Sequence, residues 1–414
     1  MSIRPADIPL AQLNNLNTQM QGELRSILAY WLKYTRDGQD GFYGSVNWND
    51  IPDPSAARGI VMYSRICWAF SAAYHVLAKE EYLHAASRAY RYIQQYFVDS
   101  RAGGVFWSVT GSGQMLDGKK QIYGQAFCIY ALSEYYSITN DDSALQLAID
   151  LFRIIELHSF DRENNGYLEA LDRGWHEAAD LRLSEKDQNE RRSANTHLHI
   201  VEAYSNLYRI WPDDQLKERV QNLLHLFKNY IINRESGHLQ LFFNDQWQPR
   251  SSLVSFGHDI EAAWLLSDCA DAIGDASLIK TYQLMNRLIT DAAIKGLDKK
   301  DGGLWYEYDA AADHWVREKH WWPQAEAMIG FFHAWQISNE ELYLQYALKA
   351  WDFVRSYLHD SRNGEWFWGI SEDYTVIPKE KAGFWKCPYH NSRACLELIR
   401  RIAYVLKKGN NDDK

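Results

Sequence analysis

The spacing of apolar residues separates two kinds of predicted helix. In the segment 82–97 apolar residues recur every three or four positions, which places them on one helical face. These residues are Leu83, Ala86, Ala89, Tyr90 and Ile93. A single apolar face is typical of a helix that covers a core from outside. The segments 59–77 and 123–138 are apolar around most of their circumference, so we expect inner helices packed on both sides.

This pairing of helices repeats six times, roughly every 60 to 70 residues. Each repeat has a turn with glycine and aromatic residues, followed by an inner helix. The turn glycines are Gly41, Gly104, Gly166, Gly237, Gly303 and Gly364, and the inner helices are predicted to begin near Met62, Tyr123, Asn195, Gly257, Trp322 and Pro388. Twelve helices in six hairpins follow from these two series.

An inner ring of six helices covered by an outer ring of six would bury this pattern. We therefore predict an all-α fold, an (α/α)6 barrel with short β-like turns at one end. The evenness of the repeat favours a single domain over residues 1–414. An open superhelix built from the same hairpins is the alternative.

Composition and charge exclude several classes of protein. A net charge of −10 without a basic stripe argues against nucleic acid as a partner. The sequence contains no apolar run long enough to span a membrane, and its N-terminal segment lacks the apolar core of a signal peptide. We therefore expect a cytoplasmic protein. Five cysteines without a CxxC motif are expected to be reduced core residues. The 17 tryptophans and 26 tyrosines mainly fill a core, but in a concave site such rings also stack on sugars.

Polar residues recur at the start of each predicted inner helix, where buried positions need hydrogen-bond partners. They are Arg65; Tyr123; Asn195, His197 and His199; His258 and Glu261; Trp321, Trp322 and Glu326; and His390. His320 lies just ahead of the fifth group. Because all six groups have the same phase in the repeat, a closed ring would bring them to one end of the barrel. The sequence therefore predicts one pocket lined from six hairpins.

Spacing within these groups suggests which side chains face the pocket. His197 and His199 are two residues apart and so point about 200° apart on a helix, and we favour His199 because Asn195 shares its face. His258 shares a face with Glu261, and Trp322 shares one with Glu326. The two glutamates would reach a sugar hydroxyl or orient a histidine.

The chemistry of this set favours proton transfer at carbon. Two histidines that face one substrate atom form a general acid and base pair near neutral pH, and an arginine can hold an oxyanion. Such a pocket is suited to removing a proton next to a carbonyl and returning it elsewhere. On a sugar, this reaction is an isomerisation or an epimerisation.

Four segments carry a resemblance across nearly the whole chain: NTHLHIVEAY, FGHDIEAAW, HWWPQAEA and FWKCPYHN. They resemble the signatures of cellobiose 2-epimerases, within the N-acylglucosamine 2-epimerase superfamily. The resemblance implies a cofactor-free and metal-free enzyme that converts the reducing-end glucose of cellobiose or lactose to mannose through an enediolate. Some relatives also form the 2-keto sugar. N-acylglucosamine epimerase and mannose isomerase are the alternatives within the superfamily.

The resemblance also implies roles for individual residues. His258 and His390 would be the acid and base pair, with Arg65 and His199 holding the enediolate. The residues expected to hold the reducing-end sugar are Tyr123, Asn195, Glu261, Trp322, Glu326 and Trp385, with both tryptophans as stacking faces. The charged segment 172–192 is expected to form a lid.

Three rival readings use the same residues. A glycoside hydrolase would place Glu261 and Glu326 across a scissile bond, but would leave three in-phase histidines without a role. A zinc site would need His197 and His199 to bind one ion, which their spacing on a helix makes difficult. A non-catalytic helical scaffold would show an open concave face without clustered histidines.

Overall fold

The computed structural model describes residues 10–38 and 40–412. Twelve α-helices occupy most of these residues. They are α1 (Leu10–Tyr30), α2 (Ile60–Leu77), α3 (Glu80–Tyr92), α4 (Ile122–Thr139), α5 (Asp142–His158), α6 (Ala194–Ile210), α7 (Asp214–Leu226), α8 (Phe256–Ile273), α9 (Ala276–Ala293), α10 (Trp321–Ser338), α11 (Glu341–Phe353) and α12 (His390–Asp412). Each even-numbered helix begins within one or two residues of the start predicted from the repeat.

The even-numbered helices form a closed inner ring, since each packs on the next and α12 packs on α2. Each odd-numbered helix packs on the outside of this ring, and α1 covers α12. The predicted (α/α)6 barrel is confirmed, and the open superhelix is excluded. The prediction of one domain over residues 1–414 extends to residues 1–9, 39 and 413–414, which lie outside the described residues.

The two kinds of helix have the burial that their sequences predict. On α3 and the π-helical turn that extends it, Ala86, Ala89, Tyr90 and Ile93 are buried, while Leu83 is half-buried. The inner helix α2 is buried continuously over its first 14 residues, 60–73, including its one arginine. All five cysteines are buried and unpaired.

Short antiparallel strands at one end of the barrel connect neighbouring hairpins. They are β1 (Ser45–Val46), β2 (Pro52–Asp53), β3 (Arg58–Gly59), β4 (Ser108–Val109), β5 (Met115–Asp117), β6 (Lys120–Gln121), β7 (Ala170–Leu171), β8 (Arg192–Ser193), β9 (Phe242–Phe243), β10 (Leu253–Ser255), β11 (Glu307–Asp309), β12 (His314–Val316), β13 (Lys319–His320) and β14 (Gly369–Ile370). The strand ahead of each inner helix pairs with a strand of the next hairpin, as in β3–β4, β6–β7, β8–β9, β10–β11 and β13–β14. A bridge between Val46 and Ala382 joins the first hairpin to the last.

The turn glycines permit the sharp reversal ahead of these strands. Gly104, Gly166, Gly237 and Gly364 have positive φ values, which L-residues with side chains rarely adopt. Gly41 has an ordinary φ, but a Cβ there would lie 2.6 Å from the guanidinium of Arg58. The turns thus depend on glycine for two reasons, backbone conformation and close packing.

Five side chains near the starts of inner helices bind the backbone just after these glycines, and we call them the holding residues. They are Tyr63, Gln125, His197, Asp259 and Gln324. Gln125, for example, accepts from the amide of Val105 and donates to its carbonyl, at 2.8 Å in each case. Each such contact satisfies a buried backbone group and fixes the inner helix against its turn. Each holding residue therefore fixes the position at which its inner helix begins, relative to the preceding turn.

Among residues 10–38 and 40–412, no helix combines the length and the apolar character needed to cross a bilayer.

Candidate active site

A cavity of about 530 Å³ opens at the end of the barrel where the inner helices begin. Every inner helix contributes to its lining. The inner-helix residues of the lining are Arg65, Tyr123, Asn195, His199, His258, Glu261, Trp321, Trp322 and His390. Trp385, from a loop, and His320, from β13, also line the cavity. Nine of the ten residues assigned to the site from the sequence therefore surround one space, and Glu326 does not.

His258 and His390 approach each other across Trp322. His258 lies in the first turn of α8, and His390 is the first residue of α12. Helix α10 lies between these two helices, with Trp322 near its start. The centroid of the Trp322 ring lies 4.8 Å from that of His258 and 5.6 Å from that of His390. Two imidazoles from separate hairpins thus contact the same tryptophan ring, and both line the same cavity.

Burial sets the protonation of these two histidines. It lowers the pKa of His258 to about 3, with a further contribution from the neighbouring His199 and Lys186. Burial also lowers the pKa of His390 well below its usual value, and Arg65 and Arg393 act in the same direction. Both imidazoles are therefore neutral at neutral pH, and each has a nitrogen that can accept a proton.

Three of the cavity histidines, His199, His258 and His390, are oriented through their Nδ1 atoms. His390 Nδ1 lies 2.7 Å from Glu326 Oε1, and His199 Nδ1 lies 2.8 Å from Glu202 Oε2. His258 Nδ1 has a neutral partner instead, the hydroxyl of Ser255 at 2.8 Å. Because Nδ1 is engaged in all three, Nε2 is the nitrogen left for a substrate.

One arginine that the sequence reading missed ties these carboxylates together. Arg393 is buried on α12 and donates to Glu202 and Glu261 at 2.6 Å and to Glu326 at 2.7 Å. Burial alone would raise the pKa of Glu202, but Arg393, with His199 and Tyr389, lowers it to about 2. Glu202 and Tyr389, whose hydroxyl donates to Glu202 at 2.7 Å, were missed as well.

A sequence signal for Arg393 exists in the repeat. It lies two residues after Asn391, just as Arg65, His199, Glu261 and Glu326 lie two residues after the holding residues of their helices. We call these residues, with Phe127 of α4, the axial residues: Arg65, Phe127, His199, Glu261, Glu326 and Arg393. They meet where the six helices converge, as shown by Arg65 lying 4.3 Å from the ring of Phe127 and Phe127 lying 4.6 Å from that of His199. The motif PYHN ends at Asn391, two residues before Arg393, and so does not include this sixth axial residue.

The two glutamates assigned to the sugar differ in position. Glu261 lines the cavity, and burial together with the negative charge of Glu326 raises its pKa to about 7 despite the opposing effect of Arg393. Glu326 is completely buried behind His390, where Trp264 Nε1 donates to it at 3.0 Å. Its carboxylate is occupied by protein groups, so its assignment as a residue that contacts the sugar is corrected. It contacts His390, which lines the cavity.

Arg65 is a buried cation whose neighbours are neutral. It donates to the Tyr123 hydroxyl at 2.8 Å and to the Trp385 carbonyl at 3.4 Å, and the ring of Tyr389 lies 4.8 Å away. In the described part of the chain, no carboxylate forms an ion pair with it. The Oδ1 atom of Asn195 is likewise buried without a partner. A positive charge and an amide on the cavity wall are thus left for a polar ligand.

The other histidine of the THLH motif has a structural position. His197 Nδ1 lies 2.8 Å from the carbonyl of Ser193, and its Nε2 accepts from the amide of Tyr167 at 3.0 Å. Both ring nitrogens are therefore used by the backbone. His197 does not reach the cavity, and a zinc site made of His197 with His199 is incompatible with this geometry.

The segment 172–192 covers part of the cavity. Residues 183–187 contribute to its lining, and Lys186 contacts the hydroxyl of Tyr306 and lies 3.5 Å from Glu307 Oε1. The segment thus lies where a lid would lie, and its opening and closing stay a prediction.

Charged groups also come together at two further places, one beside the cavity and one at the first hairpin turn. Ligand atoms of Glu261, Glu326 and His390 lie within 4.8 Å of one another, close enough for a metal ion. The guanidinium of Arg393 already bridges both carboxylates there, so a cation of the protein occupies that position. Another cavity, about 580 Å³, lies at the first hairpin turn beside Arg58, which is paired with Asp37 at 2.6 Å. Its described lining contains neither histidine nor tryptophan.

Comparison with known proteins agrees with this geometry. A sequence profile of the N-acylglucosamine 2-epimerase (GlcNAc 2-epimerase) family matches residues 41–394. The chain is 46% identical to cellobiose 2-epimerase of Bacteroides fragilis, over 93% of this chain and 98% of that protein. It is 36% identical to cellobiose 2-epimerase of Dictyoglomus turgidum, over 91% and 96% of the two chains. The structure of cellobiose 2-epimerase from Bacillus thermoamylovorans B4167 superposes with a TM-score of 0.90 at 40% identity, covering 94% of this chain and all of that one.

Proposed function

Because the chain belongs to the N-acylglucosamine 2-epimerase family, we propose that it inverts C2 of the reducing-end glucose in a β-1,4-linked disaccharide, cellobiose or lactose, to give mannose at that position. The observation that carries this proposal is the contact of His258 and His390, from two hairpins, with the ring of Trp322 in a cavity that Arg65 also lines. Neutral imidazoles in such an arrangement are suited to moving a proton on carbon.

The reaction begins with opening of the sugar ring, which exposes an aldehyde at C1 and acidifies the C2 proton. One of the two histidines takes this proton on Nε2; the C–H electrons form a double bond between C1 and C2, and the carbonyl π electrons move to the oxygen, which gives a cis-enediolate. Arg65, with His199, stabilises the negative charge on that oxygen. Rotation about C2–C3 presents the other face of C2.

The proton then passes through solvent from the first histidine to Nε2 of the other, which gives a proton to C2 on this new face. The ring closes as mannose, and both histidines end neutral, as they began. Return of the proton to C1 instead of C2 gives the ketose, so we propose minor aldose–ketose isomerisation as a side reaction of the same intermediate.

Other residues of the cavity hold the sugar. Trp322 and Trp385 are half-buried and offer faces for the reducing-end ring. Tyr123, Asn195 and Glu261 line the same cavity and offer hydrogen bonds, and the Oδ1 atom of Asn195 is a free acceptor. Glu326 acts through His390, because its carboxylate holds the Nδ1 atom of that ring.

The proposal also includes the setting of the enzyme. One catalytic domain over residues 1–414, without a cofactor or a metal ion, acts on a small sugar, with no nucleic acid or membrane partner. A cytoplasmic location is supported by the five unpaired cysteines of the core, which are typical of a reducing compartment.

The test is incubation with cellobiose in heavy water, following deuterium at C2 and the appearance of glucosyl-mannose. We expect exchange and epimerisation in the wild type, also after exhaustive chelation, and loss of both in His258→Ala and in His390→Ala. His84→Ala, which changes an exposed residue of the outer helix α3, is the matched control and should remain fully active.

The possible outcomes separate the rival functions. Release of glucose would indicate a hydrolase. Activity on free mannose or N-acylglucosamine alone would indicate another branch of the family. Full exchange at C2 in either single histidine variant would refute the assignment of the acid and base pair.

A further inference from the structure

Ser255 stands at the N-cap of α8 but does not cap that helix. Its backbone has the extended conformation usual for an N-cap, with φ −113° and ψ 103°, and its side chain makes no hydrogen bond to the first turn. The residue is 1% exposed, so water does not replace that bond. Its hydroxyl lies 2.8 Å from His258 Nδ1 instead.

Ser193 shows what a serine does at the matching place one repeat earlier. It is the N-cap of α6, and its Oγ accepts from the amide of Thr196 at 3.0 Å while donating to Glu169 at 2.7 Å. Serine is favoured at N-caps because of this bond to the backbone. Ser255 forgoes that bond and contacts His258, so its side chain serves the histidine and not the helix.

The chemical difference lies in what each partner can do. The carboxylates beside His199 and His390 only accept hydrogen bonds when ionised, so they hold the proton on Nδ1. A hydroxyl can accept from Nδ1–H or donate to a bare Nδ1. Only the first arrangement leaves Nε2 free to take a proton and to return it while Nδ1 stays protonated, and a neutral acceptor stabilises the protonated ring less than a carboxylate does.

We propose that Ser255 is a positioning residue that accepts a hydrogen bond from His258 Nδ1–H and so directs Nε2 of this ring at the substrate. This inference rests on the proposed epimerisation, in which His258 takes a proton from C2 in one direction and returns one in the other. Nδ1 stays protonated and bonded to the Ser255 hydroxyl in both directions, so only Nε2 gains or loses a proton.

The surroundings of His258 leave this task to Ser255. The titratable groups that face its ring are His199 from α6, His390 from α12, Glu261 one turn along α8, and Lys186 from the segment 172–192. Within the described residues, none of these four forms a hydrogen bond to His258. Ser255 is the group that contacts Nδ1.

The test compares Ser255→Ala, Ser255→Thr and the wild type on cellobiose, measuring kcat, KM and thermal stability. We expect Ser255→Ala to lower kcat about tenfold with KM within twofold, because the reacting imidazole loses its partner while the sugar contacts remain. Ser255→Thr keeps the hydroxyl and should restore kcat to within about threefold of the wild type. Ser255→Ala should leave the melting temperature unchanged, because no cap is lost.

Asp213→Ala provides the matched control for capping. Asp213 caps the outer helix α7 by accepting from the amide of Leu216 at 3.0 Å. Its removal should lower the melting temperature by about 1–2 °C and leave kcat unchanged.

The failure of this inference differs from the failure of the proposed function. If the wild type does not epimerise cellobiose, the function itself is wrong. If the wild type is active and Ser255→Ala keeps kcat within twofold, or loses activity only in proportion to a lowered melting temperature, Ser255 has no positioning role.

Discussion

The holding residues and the axial residues lie two positions apart on the same inner helices, yet the first bind the backbone and the second meet at the centre of the barrel. The contrast is sharpest on α6, where His197 is a holding residue and His199 an axial one. His197 uses both ring nitrogens on the backbone, while His199 uses one on Glu202 and presents the other to the cavity. The same side chain is thus structural or reactive according to its phase on the helix, since two residues turn it by about 200°.

The two layers also differ in how their polar groups are satisfied. Holding residues are paired with backbone groups of their own hairpins, which leaves those polar atoms already satisfied. The axial Arg65 lacks an anionic partner, and a substrate oxyanion would supply one. Mutations in the first layer should therefore lower stability, and mutations in the second should lower activity, with Arg393 as the exception that does both.

Arg393→Met is expected to have the largest effect of any single change. It leaves Glu202, Glu261 and Glu326 buried without their shared cation, at a cost of about 3–5 kcal/mol in the free energy of unfolding. Epimerisation should be lost as well, because Glu202 and Glu326 position His199 and His390. Denaturant unfolding together with the exchange assay measures both effects.

A matched arginine on the same helix serves as the control. Arg400 is largely exposed and pairs with Glu397 and Asp268, so Arg400→Met should change stability by about 0.5 kcal/mol and leave activity intact. If Arg393→Met were as stable and as active as Arg400→Met, the bridging role of Arg393 would be refuted.

His199→Asn should affect activity with little effect on stability. Loss of the imidazole removes one of the two groups that hold the enediolate, so we expect kcat to fall about 100-fold or more, while unfolding changes by about 1 kcal/mol. Steady-state kinetics on cellobiose and a denaturant titration test both halves. A variant that is inactive because it is unfolded would place His199 in the holding layer.

His197→Ala should show the reverse pattern. The amide of Tyr167 loses its acceptor and a cavity opens in the core, which together should cost about 3 kcal/mol of stability. In the fraction that stays folded, kcat should remain within about threefold of the wild type. Gln324→Ala, which removes the holding residue of another repeat, should behave alike. A selective loss of kcat in His197→Ala would contradict the division into two layers.

The repeat explains how much of this could be anticipated from the sequence. Apolar periodicity predicted every inner helix start because glycine turns and polar groups mark the same phase in each repeat. It also separated His199 from His197, since helical geometry alone turns them apart. Closure of the ring needed the packing of α12 on α2, which no local pattern encodes.

The hydrogen bonds that orient the cavity histidines could not be predicted from the sequence, for another reason. Glu326 shares a face with Trp322, which suggested the sugar, but its actual partners His390 and Arg393 come from a helix more than 60 residues further along. Pairing of charges between distant helices depends on which side chains reach each other in three dimensions. Ser255 was missed because an N-cap serine usually has a local explanation.

The dependence of stability on pH should distinguish the holding residue His197 from the axial residue Glu261 by the sign of its slope. Burial lowers the pKa of the holding residue His197 to about 4, from 6.5, so the folded state binds fewer protons there than the unfolded state and stability is lost as the pH falls. Burial and Glu326 raise the pKa of the axial Glu261 to about 7, from 4.5, so this carboxyl contributes stability at low pH that is lost as the pH rises through 7. Between pH 7 and pH 5 each group should contribute about 2 kcal/mol, with opposite signs. Relative to the wild type, His197→Gln should therefore gain about 2 kcal/mol on acidification and Glu261→Gln should lose about as much. Denaturant titrations of the three proteins at the two pH values measure this, and slopes of the same sign would show that burial does not act in opposite directions on the stability contributions of His197 and Glu261.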